Sequence, residues 1–162
     1  MKSEQTEIAI NKNNRKAVVE MLQQLLSDEF ILYTKYRNAH WNVEGSDFHT
    51  KHVFFEEEYG KLELVVDEVA ERIRMLGFYA PGSMKEFLKL TQLDENGPMQ
   101  NNSIGFMKIF LEDHQKMIAF IRRSISENAA EHNDEGTADF ITGLLQKHEE
   151  MAWMLRASVK TF

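Results

Sequence analysis

The sequence predicts an all-α fold: a bundle of four long helices, with one short helix in the connection between the second and third. Three observations carry this. Apolar residues recur at spacings of three, four and seven along most of the chain. Only two prolines interrupt its 162 residues. A content of 43% hydrophobic and 28% charged residues is that of a compact helical protein. The length suits a single domain, residues 1–162, with enough chain to bury a sizeable core. There is no internal repeat, and residues 1–12 read as a flexible N-terminal tail.

The first helix is expected from Asn13 or Asn14 to about Asn38, with Val18, Leu22, Leu25, Leu32 and Tyr36 on one stripe and Glu29 among them. The second spans residues 47 to 77. Gly45-Ser46-Asp47 supplies a turn and an N-cap, and Gly77 supplies a stop. Pro81-Gly82 breaks the chain before Ser83-Met84-Lys85-Glu86-Phe87-Leu88, a short helix with a capping-box pattern. Asn96-Gly97-Pro98 marks a turn. The third long helix follows from about Asn102 to Asn128, with Ile104, Met107, Leu111, Ile118 and either Ile121 or Ile125 inward. A polar loop through Asn133 and Gly136 leads to the last, from about Thr137 to Lys160.

Chemistry concentrates between His40 and Gly77. His40 and His52 have ligand-like placement, and Asp67 and Glu71 form a carboxylate pair one turn apart. Imidazole with carboxylate suits iron, manganese or zinc, and the lack of thiolate leans towards iron or manganese. At about 100° per residue, His52, Glu56, Asp67 and Glu71 share one side of the second helix. Asp67 and Glu71 lie about 6 Å apart along the axis, close enough to grip one ion, but His52 is about 22 Å from Asp67. Two copies of the helix packed antiparallel about a two-fold axis near Gly60 would place His52 of one chain opposite Asp67 of the other. The spacing therefore points to a metal site divided between subunits. The plainer readings are a solvated acidic face for the carboxylates and a charge at a helix end for His40.

The run His40-Trp41-Asn42-Val43-x-Gly45 with Phe48, His52, Asp67 and Ala70-Glu71-Arg72 resembles the signature of the Dps proteins, the ferritin-like mini-ferritins of starved bacteria. Thr137-x-Asp139 and His148-Glu149 through Trp153-Met154-Leu155-Arg156-Ala157 are similar to that family's last helix, so the resemblance covers about residues 15 to 160. It implies a ferritin-like four-helix bundle with the short extra helix, assembled as a hollow dodecamer from two-fold dimers. It implies a ferroxidase that oxidises Fe²⁺, preferably with hydrogen peroxide, and stores ferric mineral, protecting against oxidative stress. By the same resemblance His40, His52, Asp67 and Glu71 bind the iron and Glu56 touches a second iron. Trp41 takes up an electron, and Asp134 and Asp139 line pores that admit Fe²⁺. For the last two, capping and first-turn charge are the plainer roles. His49, His114, His132 and His148 have no motif partner and are expected in surface or structural roles. Trp153 and the nine methionines are expected as packing.

Other functions fare less well. The N-terminus has no apolar segment of signal-peptide length and no run approaches the ~20 apolar residues of a membrane span, so no membrane association and a cytoplasmic address are expected. The chain has no cysteine, which excludes disulfides and thiolate metal sites. A net charge of −7 opposes attraction to nucleic acid, and Glu4 and Glu7 offset Lys2, Lys12, Arg15 and Lys16 in the tail. DNA binding is therefore expected to be weak or absent, which disfavours a nucleoid-condensing protein. An ordinary ferritin with its di-iron site inside one bundle needs a Glu-x-x-His pair. No histidine here has a glutamate three residues before it, and Glu29 has no evident partners.

Overall fold

The computed structural model describes residues 2–97 and 101–160, with backbone alone for 128–130. The described residues form five helices: α1 (Lys12–Asn42), α2 (Phe48–Met75), α3 (Met84–Leu90), α4 (Ser103–Glu131) and α5 (Glu135–Ser158). The all-α expectation holds. The turn expected at Asn96-Gly97-Pro98 lies partly outside the described residues, since Pro98 is one of those left out.

Local signals set the helix ends. Asn11 caps α1 by accepting from the Asn14 N–H, and Asn102 caps α4 by accepting from the Gly105 N–H. The capping box at α3 is complete: Ser83 accepts from the Glu86 N–H while the Glu86 carboxylate accepts from the Ser83 N–H. The α1 helix runs four residues past its expected end at Asn38, which keeps His40 inside its last turn. Asp47 does not cap α2; its carboxylate instead accepts from the Ser103 hydroxyl at 2.7 Å, tying the α1–α2 turn to the start of α4. Gly45 (φ +129°) allows the tight turn, and Gly77 (φ +83°) ends the second helix as expected.

Apolar stripes bury the four long helices against one another. Helix α1 packs along α2, α4 along α5, and α1 against α4 joins the pairs, with α3 lying on α1. Val18, Leu22, Leu25, Leu32 and Tyr36 are fully buried, as the spacing requires. On α4 the buried face is rotated from the expected one: Phe106, Met107, Phe110, Met117 and Ile121 point inward, while Ile104 is 40% exposed. Large phenylalanines won the core positions because each buries more area than a β-branched residue. Each fully buried Leu, Ile or Phe contributes about 1.5–3 kcal/mol.

At the N-terminus the Glu4 N–H donates to the Gly77 carbonyl at 2.8 Å, and the Glu4 carboxylate accepts from Arg74 and Tyr79, each at 2.9 Å. One expectation needs correction. Trp153 does not pack inside the bundle; it is 63% exposed on the outer face of α5, as Trp41 is at the end of α1.

Candidate metal centre

The five-residue connection between α1 and α2 folds them into a hairpin, which brings residues 12 apart in sequence face to face. His40 and His52 stack with ring centroids 3.8 Å apart and planes 21° from parallel. Their bonds are reciprocal. His40 Nδ1 lies 2.9 Å from the His52 carbonyl, and His52 Nδ1 lies 2.7 Å from the His40 carbonyl. A carbonyl only accepts, so both rings carry their proton on Nδ1, and Nε2 is the basic nitrogen of each. Fixing the tautomer through a backbone carbonyl is how metal-binding imidazoles are oriented. Sequence spacing proposed both rings as ligands; the structure makes them neighbours.

Aromatic groups surround the pair. Tyr59 meets His40 edge-on at 5.4 Å, and Tyr33 lies 6.2 Å beyond Tyr59. The Arg37 guanidinium sits 5.0 Å from the Tyr59 ring and 5.3 Å from the Trp41 ring, and donates to the Tyr33 hydroxyl at 2.6 Å. Neither Arg37 nor Tyr59 was singled out in the sequence. The signal for Arg37 is the α1 register, in which Tyr33, Arg37 and Trp41 are each one turn apart.

Asp67 and Glu71 are exposed on α2, and Asp67 lines an open groove with Phe30, Tyr33, Glu63 and Ala70. Glu56 is also exposed, with a long 3.5 Å contact from the Tyr59 hydroxyl. A Cβ added at Gly60, between the two clusters, would meet nothing within 4 Å. Among the described residues of one chain, no three His, Asp or Glu side chains converge as an ion requires. The chain thus presents an imidazole pair across the α1–α2 hairpin and a carboxylate pair on α2, with His52 and Asp67 about 22 Å apart by helical rise.

At the start of α5, Asp134 is 2% exposed. It accepts from the Thr137 N–H at 2.9 Å, the Thr137 hydroxyl at 2.7 Å and Arg72 at 3.1 Å. Its capping role is the one the structure shows. Asp139 is exposed.

The core holds a second polar group that the sequence did not connect. Glu29 Oε1 lies 2.7 Å from His148 Nε2, His148 Nδ1 lies 2.9 Å from His114 Nδ1, and His114 Nε2 lies 3.0 Å from the Tyr36 hydroxyl. All four residues are 0–1% exposed. Burial, and then His148, push His114 well below the ordinary imidazole range. Burial, with Glu58 and Asp113 nearby, pushes the Tyr36 hydroxyl well up. Glu29 thus has a hydrogen-bond partner in the core, while no set of three metal-holding side chains forms around it among the described residues. The missed signal is register: His114 and His148 each fall on the apolar stripe of their own helix.

The four-helix bundle is that of a ferritin-like protein, and a model of the ferritin-like domain matches residues 19–162. The DNA protection during starvation protein 2 of Bacillus anthracis is 34% identical over 142 residues, covering 88% of this chain and 96% of its own. The corresponding Helicobacter pylori protein is 33% identical, over 85% of this chain and 95% of its own. A low temperature-induced protein of Nostoc sp., itself uncharacterized, is 39% identical over 94% of this chain and 86% of its own. Among solved structures, Dps from Vibrio cholerae O1 superposes with a TM-score of 0.87 at 28% identity, covering 96% of this chain and all of its own. That protein is described as a member of a broad superfamily of ferritin-like diiron-carboxylate proteins. The chain belongs to the Dps family.

Proposed function

We propose that this protein is a ferroxidase and iron-storage mini-ferritin. Fe²⁺ is its substrate, taken up between the His40–His52 pair of one subunit and the Asp67–Glu71 pair of a two-fold partner. The observation that carries the reading is the reciprocal carbonyl bonding of His40 and His52, which leaves the basic Nε2 of each ring available to a ligand. Carboxylates stabilise the positive charge that builds as Fe²⁺ becomes Fe³⁺, and neutral imidazoles leave room for an oxidant. Hydrogen peroxide as oxidant, a second iron at Glu56, Trp41 as an electron source and Asp139 at the pore belong to the same reading. So do a cytoplasmic address and a dodecameric shell built from two-fold dimers. Support comes from the Dps membership and from the separation of the two half-sites within one chain. Among the described residues no helix is long and apolar enough to cross a membrane.

The test is stopped-flow oxidation of Fe²⁺ by peroxide with light scattering for mineral. Wild type should oxidise rapidly and retain iron in the shell. Asp67→Ala with Glu71→Ala should abolish the rapid phase while circular dichroism stays unchanged. Rapid oxidation that survives this double substitution would sink the assignment.

The intra-bundle alternative is poorly supported. Both nitrogens of His148 and both of His114 are already bonded to Glu29, to each other or to Tyr36, so an ion there must first displace these partners.

A further inference from the structure

The buried chain from Tyr36 to Glu29 has a fixed direction. Tyr36 is fully buried, and among the described residues His114 is its one hydrogen-bond partner. Its hydroxyl proton must therefore point at His114 Nε2, since any other orientation strands a donor in a dry core. That choice sets every later link. With Nε2 accepting, neutral His114 holds its proton on Nδ1 and donates to His148 Nδ1. His148 then holds its proton on Nε2 and donates to Glu29 Oε1. The chain ends on a carboxylate whose other oxygen, Oε2, is buried without a partner among the described residues. Glu29 Oε1 is therefore the acceptor at which the directed chain stops.

We propose that Tyr36 is a redox-active tyrosine whose oxidation is coupled to proton transfer along His114 and His148 to Glu29. As one electron leaves the Tyr36 ring, its O–H bond breaks and the proton passes to His114 Nε2. The Nδ1 proton of His114 moves to His148 Nδ1, and the Nε2 proton of His148 moves to Glu29 Oε1. The products are a neutral tyrosyl radical, two neutral imidazoles and a neutral carboxylic acid. No charge is left on these four groups, and the final proton rests on Glu29, whose Oε1 receives it from His148.

Placement gives the chain a use. Tyr36 precedes His40 by one turn of α1, about 6 Å along the axis, and its ring stacks on Phe110 at 3.9 Å beside Phe55 at 6.1 Å. These rings exclude water and other reductants from the radical. The oxidant is hydrogen peroxide reacting at the iron site, so this step rests on the ferroxidase reading. Peroxide takes two electrons and two protons to give two waters. When one Fe²⁺ is present, it supplies one electron and Tyr36 supplies the other, and the tyrosine's proton stays on Glu29. Tyr36 would thereby prevent release of hydroxyl radical when iron is scarce.

The test begins without iron. Metal-free protein is oxidised by a photogenerated ruthenium(III) tris-bipyridine complex, frozen, and examined by electron paramagnetic resonance and infrared difference spectroscopy. Wild type should give a neutral tyrosyl signal together with a new protonated-carboxyl band. Tyr36→Phe should lose both, while Tyr33→Phe, Tyr59→Phe and Trp41→Phe keep both. Glu29→Gln, of nearly the same shape, should lose the carboxyl band. A radical that persists in Tyr36→Phe, or a Tyr36 radical with no band dependent on Glu29, would overturn the proposal. So would a cobalt(II) ion bound at His114 in a variant lacking His40 and His52, because a metal would then hold the nitrogens assigned to protons. A second arm uses one Fe²⁺ per site with peroxide. A Tyr36 signal under photo-oxidation but none in this arm would uphold the redox assignment and count against the iron reaction as its source.

Discussion

Tautomers organise the chemistry of this protein at the scale of single residues. A backbone carbonyl fixes the proton of His40 and of His52, and a tyrosine hydroxyl fixes that of His114. His114 also sets a pH limit. Its folded-state pKa lies well below the ordinary 6.5, through burial first and His148 second. Its contribution to stability is complete above pH ~6.5 and is lost as pH falls below that value, because the unfolded chain takes up a proton that the folded one refuses. Urea denaturation of wild type should therefore weaken by up to about 1.4 kcal/mol per pH unit below 6.5 from this group. His114→Gln should flatten that slope; an unchanged slope would refute the assignment. The surface half of the candidate site was legible in the sequence because its residues recur at helical spacing on an exposed face. The core chain was not. Glu29, Tyr36, His114 and His148 come from three helices and meet only through packing, and no spacing within one helix encodes such a meeting.

Helix ends show the same division between local and tertiary information. The capping box of α3 depends on Ser83 and Glu86 alone, so four residues of sequence predicted it. Ser83→Ala should cost about 0.5–2 kcal/mol, read as faster amide exchange in α3 with little change in α2 or α5. Exchange that stays unaltered in α3 would show that packing of Phe87 on Phe30, at 4.4 Å, holds the helix without its cap. Asp47 illustrates the opposite case. Its position before α2 suggested a cap, but Ser103, 56 residues away, takes its carboxylate. Similarly, the periodicity of α4 fixed a helix but not its rotation, because Ile104 and Phe106 compete for the core and only the facing helices decide between them.

At the scale of the whole molecule, assembly should complete what one chain leaves open. Light scattering should give about twelve times the 18.9 kDa chain mass, as the Dps resemblance implies. The shell should not hold DNA near neutral pH at ~0.15 M salt, because each subunit carries a net charge of −7 and duplex DNA carries about one negative charge per 1.7 Å. Tight plasmid retention without divalent cations would contradict this. The division of the iron site between subunits is the claim on which the rest depends, and mixing inactive variants tests it most directly. Asp67→Ala with Glu71→Ala in one chain, and His40→Ala with His52→Ala in another, should each be inactive alone. Co-assembled, a mixed two-fold dimer regains one intact site and keeps one doubly damaged site, so rapid peroxide-driven Fe²⁺ oxidation should return in part. If native mass spectrometry confirms mixed dimers and no rapid oxidation returns, the ligands lie within one chain and the divided site is wrong.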